Sequence, residues 1–160
     1  MNYDIQETRI GNIAIGADDE AVTFLLMRCD SQLPGNFQRR LTPIIRDAFV
    51  QLNEYLEGRR KNFDLNLSQK GTDFQVKVWE AVKNIPYGKT MSYGELAEHI
   101  GMKGAARAVG GAVKMNHIPV FIPCHRVIGA NHKLGGYSCG LELKIALLKT
   151  EGINLGVHIS

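Results

Sequence analysis

The first third of the chain alternates between apolar and polar residues, and the remainder follows a helical period. Ile10-Gly11-Asn12-Ile13 predicts a two-residue hairpin turn, because glycine tolerates positive φ. Asp18-Asp19-Glu20 predicts a second polar turn before the apolar run Val22 to Met27. Together these make a three-stranded meander. Leu41, Ile44, Ile45, Ala48, Phe49, Leu52, Tyr55 and Leu56 then recur at spacings of three and four, which predicts an amphipathic helix. Thr42 caps it, Pro43 suits its first turn and Gly58 ends it. Phe63, Leu65 and Leu67 alternate with Asp64 and Asn66, the pattern of a short half-buried strand. Nothing in this part carries obvious chemistry, and it reads as scaffold.

Ser68 to Gly71 is polar and ends in glycine, and it is the candidate boundary between residues 1–69 and 70–160. Beyond it the pattern is one of short helices. Thr72-x-x-Gln75 is a capping box opening a helix with Phe74, Val78, Trp79, Val82 and Ile85 inward. Pro86-Tyr87-Gly88-Lys89 stops that helix. Ser92-x-x-Glu95 is a second capping box, for a helix with Leu96, Ala97 and Ile100 inward. After a tight turn at Gly101 to Gly104, a helix runs from about Ala105 to Met115, with Ala105, Ala108, Val109, Ala112 and Val113 on one face. Two short helices across a glycine turn form a helix-turn-helix pattern.

The second of these helices is unusual for a reader of the major groove. Ala105-Ala106-Arg107-Ala108-Val109-Gly110-Gly111-Ala112 has one long polar side chain, Arg107, and few groups able to read base edges. Two glycines inside a helix cost about 1 kcal/mol each relative to alanine. Either tight helix packing compensates, or the helix offers a smooth surface to a groove with one arginine projecting.

Composition adds two constraints. Hydrophobic residues make up 44% and charged residues 22%, ordinary for a globular protein. The apolar runs are far shorter than a membrane span requires, and Met1-Asn2-Tyr3-Asp4 shows no secretory signal. Three widely spaced cysteines, Cys29, Cys124 and Cys139, do not form a disulfide framework, which favours a reducing, cytoplasmic setting. The net charge of +3 hides an asymmetry. Residues 1–100 carry 12 basic and 14 acidic side chains, whereas residues 101–149 carry 7 basic side chains and one acidic, Glu142. A basic half on a near-neutral body suggests a polyanionic partner, although a solvated basic face would look the same.

The candidate chemistry lies in Phe121-Ile122-Pro123-Cys124-His125-Arg126-Val127-Ile128. A thiolate nucleophile needs a base or a positive field, and His125 is adjacent to the thiol. In a regular strand the two side chains would point to opposite faces, but Pro123 interrupts any ladder. A Cys-His pair alone also fits an ordinary structural role. His117, Cys124, His125, His132 and Cys139 lack the spacing of a metal site. The glycine pairs do not follow a strand as a dinucleotide fingerprint would, so no cofactor is expected.

Ile122-Pro123-Cys124-His125-Arg126-Val127, Tyr93 and Ala105-Ala106-Arg107-Ala108-Val109-Gly110 together resemble the 6-O-alkylguanine-DNA alkyltransferases, strongly over about residues 72–152 and more weakly before them. The resemblance implies an α+β protein, with a ribonuclease-H-like sheet-and-helix domain packed on a winged-helix-like, helix-turn-helix domain. It implies direct-reversal repair of double-stranded DNA by a monomer. One alkyl group moves from the 6-oxygen of guanine, or the 4-oxygen of thymine, to Cys124 in a single turnover after base flipping. His125 would activate the thiol through a water and Glu151 would orient the imidazole. Asn116 would be the hinge between the recognition helix and the thiol segment. Tyr93 would press on the phosphate of the target nucleotide, and Arg107 would fill the place of the flipped base. Lys114, Ser92 and Gly94 fall among DNA contacts, while Pro119, Tyr137 and Ser138 would line the guanine pocket.

The chain departs from the family pattern at two positions, with His117 where proline is common and Cys139 where glycine is common. Both bear on the shape of the pocket. Three other readings compete: a non-catalytic lesion binder, a helix-turn-helix transcription regulator and a cysteine hydrolase. Cys124 argues against the first, the sparse base-reading side chains against the second, and the lack of a recognisable oxyanion hole against the third.

Overall fold

The hairpin between β1 (Asn2–Thr8) and β2 (Gly11–Ala17) turns on Arg9 and Ile10, two residues before the glycine-centred turn the sequence suggests. Thr8 faces Gly11 across the ladder, and its hydroxyl donates to the Gly11 carbonyl at 2.8 Å while accepting from Ile10 N at 3.2 Å. Gly11 is still needed: it takes the positive φ, 104°, that lets the strands close behind the turn. The computed structural model describes residues 1–27, 33, 35–137 and 139–155, so Cys29 and Ser138 lie outside the described residues.

Asp18 makes the second turn by accepting from the backbone N–H groups of Glu20 and Ala21, both at 2.8 Å, and β3 (Val22–Leu26) returns antiparallel to β2. A two-residue strand β4 (Gln38–Arg39) adds parallel to β1, giving the order β3-β2-β1-β4. Helix α1 (Pro43–Leu56) packs on this sheet, with Thr42 accepting from Ile45 N and Pro43 in the first turn as expected. Ile13, Ile15, Leu25, Ile45, Ala48, Phe49 and Leu52 form the core between them.

Phe63, Leu65 and Leu67 are half-buried and alternate with exposed Asp64 and Asn66, but they do not form the expected strand. Only Leu67 bridges to Val22. The outer edge of β3 is shared: Val22 exchanges hydrogen bonds with Asn66 and Ser68, and Leu25 N donates instead to the carbonyl of His117 at 2.9 Å. Two short segments thus cover an edge that a single long strand would otherwise occupy. The second of them ties the N-terminal sheet to the loop that leads to Cys124.

The helical half follows the sequence closely. Helices α2 (Asp73–Lys83) and α3 (Tyr93–His99) both carry complete capping boxes, at Thr72/Gln75 and Ser92/Glu95. Gly101 and Gly104 take positive φ in the turn to α4 (Ala106–Lys114). Val109, Ala112 and Val113 face inward as expected, but Ala108 is exposed. Trp79 on α2 donates its indole N–H to the Ala112 carbonyl at 2.9 Å and so anchors α4 from behind. Strands β5 (Met91–Ser92) and β6 (Val127–Ile128) pair in parallel, and α5 (Leu141–Thr150) closes the fold. Among the described residues no helix is long and apolar enough to cross a membrane.

Candidate active site

Cys124, His125 and Arg126 form one turn of 3-10 helix rather than a strand. Arg126 N donates to the Pro123 carbonyl at 2.9 Å, and the chain enters β6 immediately afterwards. With three residues per turn, successive side chains fan out around the axis. All three are buried, with Cys124 7% and His125 0% exposed. Upstream, the side chain of Asn116 staples the connection from α4: Nδ2 donates to the Ile122 carbonyl at 3.0 Å and Oδ1 accepts from Ile118 N at 2.9 Å.

Glu151, at the C-terminal end of α5, collects the donors around this turn. Its Oε1 accepts from Gly88 N and from Arg126 Nε, both at 2.9 Å. Its Oε2 accepts from His125 Nε2 at 2.7 Å, Arg126 Nη2 at 3.1 Å and the Tyr55 hydroxyl. Burial alone would push this carboxyl up. The hydrogen bonds and charge of His125 and Arg126, with the Gly88 amide, outweigh burial and bring it down to about 2. Arg126 also donates to the Ile85 carbonyl at 2.7 Å, so the ion pair is hydrogen-bonded on both sides.

The network sets the state of the histidine. Burial holds the imidazole below its ordinary pKa, with Glu151 opposing, so it is neutral at neutral pH. Nε2 faces a carboxylate and must carry the proton. Nδ1 is buried and has no partner among the described residues. It is therefore a free acceptor one residue from the thiol. Burial raises the pKa of Cys124, against the opposing influence of the nearby Asn116 and Tyr137 side chains and the charge of Lys144. The resting group is a thiol, and a nucleophile forms there only if a base takes the proton.

Lys144 is a second buried cation, besides Arg126, with no role assigned from the sequence. It is 0% exposed, and its ammonium donates to the carbonyls of Val127 at 2.8 Å, Gly136 at 3.1 Å and Leu134. Burial lowers its pKa to about 8, which leaves it charged at neutral pH. It pins the segment 134–136 against β6. Gly135, at φ 69°, packs there against the Tyr93 ring, at a distance where a Cβ would sit 3.2 Å from the ring.

Cys124 opens into a cleft of about 370 Å³ lined by Tyr93, Arg107, Gly110, Gly111 and Tyr137, with Lys114 alongside. Arg107 and Lys114 are exposed. A Cβ at Gly110 would make only ordinary contact with Tyr93, and one at Gly111 would meet open space, so helix packing does not require either glycine. Of the residues singled out from the sequence, Cys124, Tyr93, Arg107, Lys114 and Tyr137 meet at this cleft, and Asn116, His125 and Glu151 stand behind it. Ser92 is the cap of α3 and Gly94 is exposed in its first turn. Pro119 does not line the cleft. It bridges to Ile122 just before Val120, whose φ is 74°, and lines a neighbouring groove of about 460 Å³ with His117, Cys139 and Phe24. Both departures from the family pattern, His117 and Cys139, thus face this groove and not the cleft.

Tyr55, Arg126 and Lys144 were the residues missed. Tyr55 fits the core face of α1 and offers no separate signal. Lys144 does offer one, since it falls three, four and seven residues before Leu147, Leu148 and Glu151, on the inward face of α5.

Removing the carboxylate would strand a buried guanidinium. Glu151→Ala is expected to lower stability by about 3–5 kcal/mol in urea unfolding at neutral pH. Because the folded carboxyl lies below its ordinary value of 4.5, its stabilisation is complete above that pH and is lost as pH falls through about 2. The difference between parent and variant should shrink over that interval. A difference that stays constant there would show that Glu151 acts by packing alone.

The chain matches two family models, "6-O-methylguanine DNA methyltransferase, ribonuclease-like domain" over residues 1–69 and "6-O-methylguanine DNA methyltransferase, DNA binding domain" over residues 73–153. It is 45% identical over 155 residues to a methylated-DNA–protein-cysteine methyltransferase of Methanosarcina acetivorans, covering 95% of this chain and 99% of that one. It is 43% identical over 161 residues to the constitutive methylated-DNA–protein-cysteine methyltransferase of Bacillus subtilis, covering 96% and 98%. Among solved structures it is similar to Mycobacterium tuberculosis OGT in complex with DNA, with a TM-score of 0.88, 42% identity and coverage of 94% and 92%. Two domain models spanning nearly the whole chain, and relatives of equal length at this identity, show that the protein belongs to the 6-O-methylguanine DNA methyltransferase family.

Proposed function

We propose that the cleft receives an alkylated guanine flipped out of double-stranded DNA, and that Cys124 takes the alkyl group from its 6-oxygen. One arrangement supports this above all: a buried thiol at a cleft floored by the smooth face of α4, with a neutral histidine held behind it. The Cys124 proton passes to His125 Nδ1 through a water. Sulfur attacks the alkyl carbon, an S–C bond forms and the O–C bond breaks with its electron pair left on the guanine oxygen. The guanine then takes up a proton. The product thioether has no good leaving group, so each molecule reacts once. An alkylated 4-oxygen of thymine presents the same exocyclic bond and is the second substrate of this reading.

The remaining roles follow from position. The alkyl group of a stacked guanine cannot reach a buried thiol, so the nucleotide must leave the duplex. Arg107, exposed on α4 beside the cleft, fills the gap in the stack. Gly110 and Gly111 allow α4 to approach the minor groove closely. Lys114, Ser92 and Gly94 lie at the ends of α4 and α3, where they contact the backbone, and Tyr93 presses on the target phosphate. Tyr137 lines the base pocket, while Asn116 is the hinge that fixes the thiol segment to α4. We take the protein to act as a monomer, with residues 1–69 as scaffold and 70–160 as the DNA-binding, alkyl-accepting half.

Peptide mapping by mass spectrometry after reaction with a methylated duplex tests the reading. One CH₂ per protein is expected, on the peptide that contains Cys124. Methylation of Cys29 or Cys139, or more than one turnover per molecule, would rule it out.

Arg107→Ala should slow repair of duplex DNA far more than reaction with free alkylguanine. Only the duplex substrate requires extrusion, which costs a few kcal/mol. Equal losses in single-turnover rates on both substrates would mean that Arg107 serves the fold or the chemistry instead.

A further inference from the structure

Tyr55 lies on α1, in the N-terminal half, 70 residues before His125. Its side chain is fully buried on the inward face of α1, beside the apolar Leu52 and Leu56. The ring meets Tyr87 edge-on at 6.2 Å and lies tilted against Phe63 at 5.3 Å. Packing of this kind would be served equally well by phenylalanine, and a buried hydroxyl is costly unless it is hydrogen-bonded. The hydroxyl donates to Glu151 Oε2 and stands 3.2 Å from His125 Nε2, giving that N–H a second acceptor.

We infer that Tyr55 is a positioning residue for alkyl transfer, whose hydroxyl fixes the Glu151 carboxylate that orients His125, so that the N-terminal half takes part in the chemistry. The inference rests on the roles given above to Cys124, His125 and Glu151. Burial and the charge of Glu151 raise the phenol's pKa, so Tyr55 stays a hydrogen-bond donor at every working pH. The donated bond takes up part of the carboxylate's charge.

Three other groups act on the imidazole besides Tyr55 from α1. Arg126 lies on its own turn beside the titratable Cys124, an uncharged thiol at rest, and Lys144 and Glu151 come from α5 and its C-terminal end. Arg126 and Lys144 both disfavour the imidazolium, and Glu151 alone favours it. Without the Tyr55 hydroxyl, Glu151 holds the imidazolium more strongly. His125 then keeps its proton to higher pH and becomes a free base later.

The test compares Tyr55→Phe, Glu151→Gln and the double variant in single-turnover methylation of Cys124 by a methylated duplex, as a function of pH. Unfolding and affinity for undamaged DNA are measured on the same samples. Tyr55→Phe should unfold cooperatively and keep its DNA affinity. It should react about tenfold more slowly at neutral pH, with the acid limb of its profile moved up by about half a unit. Because Tyr55 acts through Glu151, the double variant should be no slower than Glu151→Gln alone. An unchanged rate and acid limb in Tyr55→Phe, or a loss that adds in full to that of Glu151→Gln, would overturn the proposal. If Glu151→Gln is slow and Tyr55→Phe is not, only the role of Tyr55 falls. If Glu151→Gln itself keeps the parent rate, the underlying reading of His125 and Glu151 falls as well.

Discussion

A single buried carboxylate organises this molecule. Glu151 accepts from five donor groups on three separate parts of the chain: Tyr55 on α1, Gly88 before β5, and His125 and Arg126 on the turn after Pro123. A buried charge of this kind is tolerable only when its lone pairs are occupied and a counter-charge is close. Arg126 supplies the counter-charge, and the amide and phenol complete the shell. The fourth kind of donor, the imidazole, is the one the proposed proton transfer uses. Because Glu151 accepts the hydrogen bond from its Nε2–H, Nδ1 is left without a partner among the described residues. The cost of an unpartnered buried nitrogen is borne where a proton acceptor is needed.

This arrangement explains why the two halves of the chain are tied together where they are. The hydrogen bond from Leu25 to His117 joins the edge of the sheet to the loop that Asn116 staples, and that loop ends at the thiol. On the far side, Tyr55 reaches from α1 to the Glu151 network. The thiol turn is thus held from both directions by a scaffold none of whose described residues lines the Cys124 cleft. Lys144 makes the third tie, through backbone carbonyls of the segment that carries Gly136 into the cleft. Resting as a protonated thiol limits the adventitious reactivity of Cys124.

Much of this was legible in the residues. The meander, the α1 cap at Thr42, both capping boxes and the glycine turn between α3 and α4 follow from local chemistry that the structure repeats. Cys124, His125 and Glu151 were singled out through a motif and a family resemblance, and the structure places them side by side. What was not legible depends on tertiary choices. Gly11 supplies positive φ behind the hairpin turn instead of at its centre, a difference of two residues that composition does not settle. The strand expected at Phe63 to Leu67 lacks a ladder because His117 takes the outer edge of β3 at Leu25. Pro119 leaves the cleft because the chain doubles back at Val120. The hydroxyl of Tyr55 looks like core at helical spacing, and only the fold brings it to a carboxylate 96 residues away.

The account stands on the proton of His125. Nitrogen-15 NMR of histidine-labelled protein at neutral pH reads it directly. A neutral ring with the proton on Nε2, toward Glu151, and an unprotonated Nδ1 is the predicted result, and replacing Glu151 should disturb it. A proton on Nδ1 in the resting protein would leave no acceptor for the Cys124 thiol and would contradict the mechanism.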